Sequence, residues 1–213
     1  MIMTQEVLSE GRARWWESVY ARRRVDRVSW YQPSPEASLR LIDALGLPLD
    51  AATVDVGGGA STLVDHLLAE GRSNLAVLDI SAAALQAARN RVGDLGRVMW
   101  IHEDVLTWRP TRRYALWHDR AAFHFLVESA ERAAYLDTLD CALGPAGAVV
   151  IGTFATDGPQ ECSGLPVTRY DPGGLGSTLG SGFEVVETLR EQHTTPAGSI
   201  QPFTWVAARR IPD

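Results

Sequence analysis

Apolar residues follow two rhythms along this chain. Short, nearly continuous apolar runs at Thr53 to Val56, Leu75 to Asp79, Val98 to Ile101, Tyr114 to Trp117 and Ala148 to Phe154 predict strands, the first of them buried. Between them, apolar positions recur at helical spacing: Leu63, Leu67 and Leu68; Ala82 to Val92 behind Ser81 as N-cap; and Ser129 to Leu143, with Ala133, Leu136, Leu139 and Leu143 on one face. A helix separates most successive strands and no hairpin signal intervenes, which implies parallel pairing with right-handed crossovers. Two later runs, Phe183 to Leu189 and Ile200 to Ala208, predict a closing antiparallel hairpin.

The ends of the chain are less regular. Residues 1 to 33 are aromatic and basic, and Trp16 and Tyr20 share a face at i, i+4. The stretch through Trp30, Tyr31 and Pro33 breaks the helix and reads equally as a lid or as a strap on the sheet. Ser34 or Ser38 is expected to cap a helix running to Leu45. A turn-rich segment around Asp157 to Val167 is followed by a short helix at Asp171 to Leu179.

The centre of the pattern is Thr-Val-Asp-Val-Gly-Gly-Gly-Ala-Ser-Thr, residues 53 to 62. Glycines 57 to 59 admit positive φ and the close approach of a ligand, and the following helix start offers free N–H groups. A dinucleotide fingerprint requires a small residue where Thr62 stands, so that pattern fails. Asp55, ahead of the glycines, repels a pyrophosphate and suits an ammonium. Two more acids stand at or just past the next strand ends: Asp79, where such folds accept ribose hydroxyls, and Asp104.

Asp55 with its glycines, Asp79 and Asp104 resemble the motifs of the class I S-adenosylmethionine-dependent methyltransferases. The turn Gly144-Pro145-Ala146-Gly147 into a long apolar strand is similar to the same family's block, so the resemblance covers about half the chain, from Thr53 to Phe154. It implies a single doubly wound, Rossmann-like α/β domain with a mostly parallel seven-stranded sheet and an antiparallel last strand. Within residues 1–213 it implies an N-terminal helical cap or lid over 1–50, a cofactor-binding core over 51–154, and an acceptor-side loop with closing hairpin over 155–213. The cofactor implied is S-adenosyl-L-methionine, with S-adenosyl-L-homocysteine as product. It would be held by Asp55, Gly57, Gly58, Gly59, Asp79, Ile80, Asp104, Val105 and His118.

Asp119-Arg120 after a Trp-containing strand resembles the thiopurine and thiol methyltransferases, although Gly164-Leu165-Pro166 departs from their Gly-Pro-Pro loop. This points to methyl transfer onto a small molecule with a thiol or other soft nucleophile. Arg120, His118 and His124 are the catalytic candidates: Arg120 as a permanent cation for a thiolate or carboxylate, or as an ordinary salt bridge; the histidines as bases, or as packing residues. Trp30, Tyr31, Phe123, Arg120 and Cys162 are the acceptor-side candidates, with Phe203 a further aromatic wall. The aromatic entry near Trp30 also resembles small protein-lysine methyltransferases, and a cofactor-binding module without activity is a third reading.

Composition narrows the partners. A net charge of −6 opposes general nucleic-acid binding. All 20 cationic side chains are Arg, so Schiff-base chemistry and a phosphate-loop lysine are excluded. Cys141 and Cys162 show no recurring metal spacing, and Cys141 reads as a buried thiol in an apolar helix. No run reaches membrane-span length and no signal-peptide core opens the chain, so a cytoplasmic protein, monomeric or weakly dimeric, is expected.

Overall fold

The computed structural model describes residues 5–93 and 96–212; the first four residues of the expected cap lie outside them. The chain runs α1 (Gln5–Arg22), a 3-10 turn (Val25–Arg27), α2 (Glu36–Ala44), β1 (Thr53–Val56), α3 (Leu63–Ala69), β2 (Leu75–Asp79), α4 (Ala82–Val92) and β3 (Val98–His102). It continues through β4 (Tyr114–Arg120), a 3-10 turn (Phe123–Phe125), α5 (Ser129–Ala142), β5 (Leu143–Phe154), a miniature hairpin of β6 (Glu161–Cys162) and β7 (Leu165–Pro166), α6 (Pro172–Thr178), β8 (Phe183–Thr194) and β9 (Ile200–Arg210).

Seven strands form one sheet in the order β3-β2-β1-β4-β5-β9-β8. Pairing is parallel from β3 through β5, and β9 runs antiparallel to both neighbours. Strand alternation divides the core in two. Val54, Val56, Trp117, Val149 and Ile151 pack on one face with Tyr135 and Leu139 of α5. Leu116, Val150, Trp205 and Ala207 pack on the other with Leu41 and Ile42 of α2 and Leu63 and Leu67 of α3. Both faces are covered over the central strands, as their uninterrupted apolar runs require, while the edge strand β3 leaves Met99 exposed.

The chain leaves β1 toward β2 and β3, then returns across the sheet to β4 and β5. The carboxyl ends of β1 and β4 therefore flank a topological switch point, where open α/β sheets bind ligands. Among the described residues no helix is long and apolar enough to cross a membrane.

Three local expectations are corrected. The β4 ladder continues through His118, Asp119 and Arg120 instead of stopping at Trp117. Neither Ser34 nor Ser38 caps α2, whose N-cap is Pro35 with no side-chain bond; the Ser38 hydroxyl reaches the sheet instead. Cys141 is exposed, because α5 turns Tyr135, Thr138, Leu139 and Ala142 inward.

Candidate functional site

A cleft of about 860 Å³, counting space open to solvent, lies over the carboxyl ends of β1, β2 and β4. A smaller, more enclosed recess between the glycine turn and the 25–35 segment adjoins it, and Tyr20, Trp30, Gly57 and Arg120 line both.

The floor is built from the glycine turn and two acids. A Cβ on Gly58 would collide with the Asp55 carboxylate and approach Val77, and one on Gly59, at φ +34°, would stand 2.5 Å from Asp79 Oδ2. The carboxylates thus fill the space that side chains at 58 and 59 would occupy. Asp55 is 4% exposed, and its Oδ2 has no hydrogen-bond partner among the described residues. A buried, unpaired carboxylate oxygen is costly, so a site of this kind suits a ligand that brings a donor. Asp79 accepts from Ser81 N at 2.8 Å, and burial foremost, with Asp55 and Glu17 nearby, pushes its pKa up to about 7. Ile80, Glu103, Asp104, Val105 and Leu106 continue the wall. Asp104 accepts from Leu106 N at 3.0 Å and from Arg12 Nη2 at 2.8 Å.

The roof is α1. Trp16 stands edge-on to Phe125 at 5.1 Å between ring centroids and to Trp30 at 5.8 Å; Tyr20 meets Trp30 at 6.2 Å. Glu17 accepts from Ala82 N at 2.6 Å and Ala83 N at 3.2 Å, fastening α1 to the N-terminus of α4. Burial and the neighbouring Asp79 raise the Tyr20 phenol well above its ordinary pKa, so it stays protonated. The 29–33 segment is a strap: its carbonyls meet Arg120, Thr62, His66 and His193 at 2.7 to 3.1 Å.

Because β4 extends to residue 120, His118 and Arg120 share one face of the sheet and Asp119 takes the other. Asp119 is fully buried, bonded to Tyr135 Oη at 2.7 Å and to the Ala122 and Phe123 N–H groups; burial raises its pKa to about 6. Ala121, at φ 68°, then turns the chain under the cleft. Arg120 donates to Trp30 O at 2.9 Å and stacks 4.6 Å above the Phe203 ring. Its Nε and Nη2 have no hydrogen-bond partner, and no carboxylate pairs with it among the described residues. Burial draws its pKa below the ordinary value, yet a guanidinium stays charged.

The remaining candidates separate. Both ring nitrogens of His118 are engaged, with Asp55 at 2.7 Å and Ser38 at 2.9 Å. His124 is fully buried between Phe125 and Phe154, and burial drives its pKa down to about 3. Phe123 packs on Tyr135 and Tyr170 in the core, and Phe125 stands at the cleft in its place. Tyr31 lines the smaller recess and a groove beside β8, not the main cleft. The two-residue turn at Ser163 and Gly164, both at positive φ, puts Cys162 in the cleft wall. Burial pushes that thiol up to about 11. Arg12, Trp16, Glu17 and Phe125 at the site carried no sequence signal beyond helical spacing.

Residues 53–147 match a family model described as a methyltransferase domain. The chain is 31% identical over 162 residues to thiocyanate methyltransferase 1 of Arabidopsis thaliana, a match spanning 74% of this chain and 69% of that one. It is 26% identical over 105 residues to malonyl-[acyl-carrier protein] O-methyltransferase 2 of Ilyobacter polytropus, where the match spans 49% of this chain and only 39% of the relative. The fold matches that of Burkholderia thailandensis 1,6-didemethyltoxoflavin-N1-methyltransferase, solved with its substrate and S-adenosylhomocysteine, at a TM-score of 0.75 and 20% identity, covering 100% of this chain and 92% of that one.

Proposed function

Since this chain belongs to the class I S-adenosylmethionine-dependent methyltransferases, we propose that its acceptor is a small, soft, anionic nucleophile, a thiolate first among them. The carrying observation is Arg120: a guanidinium with no carboxylate in ion-pair contact among the described residues, set in an aromatic wall at the edge of the cleft. A buried cation that Glu191 and Asp55 reach only at a distance, without an ion-pair contact, favours an anion there, and it opposes the ammonium of a protein lysine. The Arabidopsis relative is named for thiocyanate, a small sulfur anion, which supports the same class.

The residues fit the cofactor. Asp55 would take the ammonium of its amino-acid tail at the unpaired Oδ2, Asp79 the ribose hydroxyls, and Asp104 with Ile80 and Val105 the adenine; Gly57, Gly58 and Gly59 leave room for the approach. When bound, S-adenosylmethionine supplies a methyl group on a positively charged sulfur. The chain's own contribution is positional and electrostatic. Arg120 lowers the pKa of an acceptor thiol from its usual value of about 8.5 and holds the resulting thiolate. Trp16, Tyr20, Trp30 and Phe125 keep water from the nucleophile, which raises its reactivity and the weight of the Arg120 charge. An acceptor already anionic needs no protein base, which accords with the engaged ring of His118 and the neutral, enclosed ring of His124. Cys162, held protonated, does not compete for the methyl group. On this reading residues 1–50 cap the core, 51–154 hold the cofactor and 155–213 supply the acceptor side.

Incubation with methyl-labelled cofactor and a set of small thiols, thiocyanate, iodide, small amines and a lysine-rich peptide tests the assignment. Label in the S-methyl or halide products supports it; label confined to amines or to the peptide overturns it.

A further inference from the structure

The buried imidazole of His118 has no part in the chemistry above. Its place follows from register: β1 and β4 are parallel neighbours, and Asp55 pairs directly with His118. Residues in register on adjacent strands project on the same side, so carboxylate and ring meet by construction, Nδ1 to Asp55 Oδ1 at 2.7 Å. The opposite nitrogen, Nε2, lies 2.9 Å from Ser38 Oγ on α2. All three side chains are shut from solvent: Asp55 is 4% exposed, His118 2% and Ser38 1%. Because the carboxylate accepts only, Nδ1 carries a proton and donates to it, and Nε2 shares a hydrogen bond with the serine hydroxyl. A helix, a central strand and the acid-bearing strand are thus joined through one line of hydrogen bonds.

That line engages one oxygen of Asp55 and leaves the other free. Oδ2 is buried without a hydrogen-bond partner among the described residues, next to Gly58, and Asp55 lines the recess beside the glycine turn. We infer that Ser38 and His118 are positioning residues: they hold Asp55 by Oδ1 so that Oδ2 is presented to the ammonium of the cofactor, and they set the affinity for the amino-acid tail but not for the nucleoside. This rests on the reading of Asp55 as the ammonium acceptor given above. A packing role alone would tie both parts of the cofactor equally to these side chains.

Calorimetric affinities for S-adenosylhomocysteine and for 5′-methylthioadenosine, which lacks the amino-acid tail, separate the two. For His118→Leu the affinity for S-adenosylhomocysteine is expected to fall about tenfold, as for one charge-assisted hydrogen bond, while methylthioadenosine binds as before. His118→Asn, which returns an N–H near Nδ1, restores most of the loss. Ser38→Ala, which removes a single oxygen, gives a smaller loss of about threefold with the same selectivity, and Ser38→Thr recovers it; this pair serves if His118→Leu fails to fold. Equal losses for both ligands, or none for either, overturn the inference. Asp55→Asn distinguishes the levels: if it leaves the ratio of the two affinities unchanged, the ammonium assignment falls and the inference with it. If it shifts the ratio while the His118 and Ser38 variants do not, only the inference falls.

Discussion

Arg12 of α1 lies with Nη2 2.8 Å from Asp104 Oδ2, and its other terminal nitrogen lies 2.8 Å from Glu131 Oε1. One side chain therefore bolts the roof of the cleft to the loop after β3 and to the first turn of α5. Asp104 is nearly buried while Arg12 is partly open, so solvent screening weakens the pair without abolishing it. Arg12→Ala is expected to cost about 1 kcal/mol of stability and to speed release of S-adenosylhomocysteine, with a smaller dependence of that release on salt than in the parent. Thermal melts and stopped-flow displacement at two ionic strengths check both.

Asp79 provides a pH test. Burial raises its carboxyl to about 7 from an ordinary value near 3.8, so between those limits the folded chain binds more protons than the unfolded chain. Its contribution to stability consequently falls as pH climbs through that window and levels off above about 7. Asp79→Asn should remove this slope and gain stability relative to the parent as pH rises from 5 to 8, roughly 1 kcal/mol or more. Ribose hydroxyls need the ionised acceptor, so cofactor affinity of the parent should rise over the same range, and Asp79→Asn should bind more weakly at pH 8. Urea melts at the two pH values and calorimetry measure the opposed effects.

At Gly58, alanine should fail for a different reason. Its Cβ would displace the Asp55 carboxylate and press on Val77, and backbone relaxation there would disturb Gly59, which the Asp79 carboxylate closely approaches. Overpacking of this kind costs about 1–3 kcal/mol. Gly58→Ala should lower the melting temperature and reduce S-adenosylhomocysteine binding by at least tenfold, whereas Gly11→Ala, with open space around it, should change neither.

Arg120→Ala should lower kcat for a small thiol by about 100-fold, the scale of losing one electrostatic stabiliser, and leave S-adenosylhomocysteine affinity nearly intact. Arg120→Lys should recover part of the rate, since the charge returns without the planar fork. Equal losses in kcat and cofactor affinity would instead assign the guanidinium to the cofactor's carboxylate. Steady-state kinetics beside calorimetry distinguish the cases.

The acids at the strand ends were legible because a carboxylate at the edge of an apolar run has few other reasons to be there: Asp55, Asp79 and Asp104 all line the cleft or the recess beside it. The order of strands followed from the helices between them. Three features were hidden. Where β4 ends depends on the pairing of His118, Asp119 and Arg120 with β5, which no local pattern announces, and that extension sends Asp119 to Tyr135 while Arg120 faces the cleft. Phe123 and Phe125 are equivalent as sequence; the turn at Ala121 decides which is core and which is wall. The bond from Arg12 to Asp104 spans 92 positions, and a long-range ion pair leaves no periodicity to read.

The most direct measurement is calorimetric titration of S-adenosylhomocysteine into the parent protein and into Asp79→Ala. One site per chain is expected in the parent and a loss of about 1–3 kcal/mol of binding free energy in the variant, with no competition from NAD. Affinity unchanged by the substitution, or a dinucleotide displacing the ligand, would contradict that expectation.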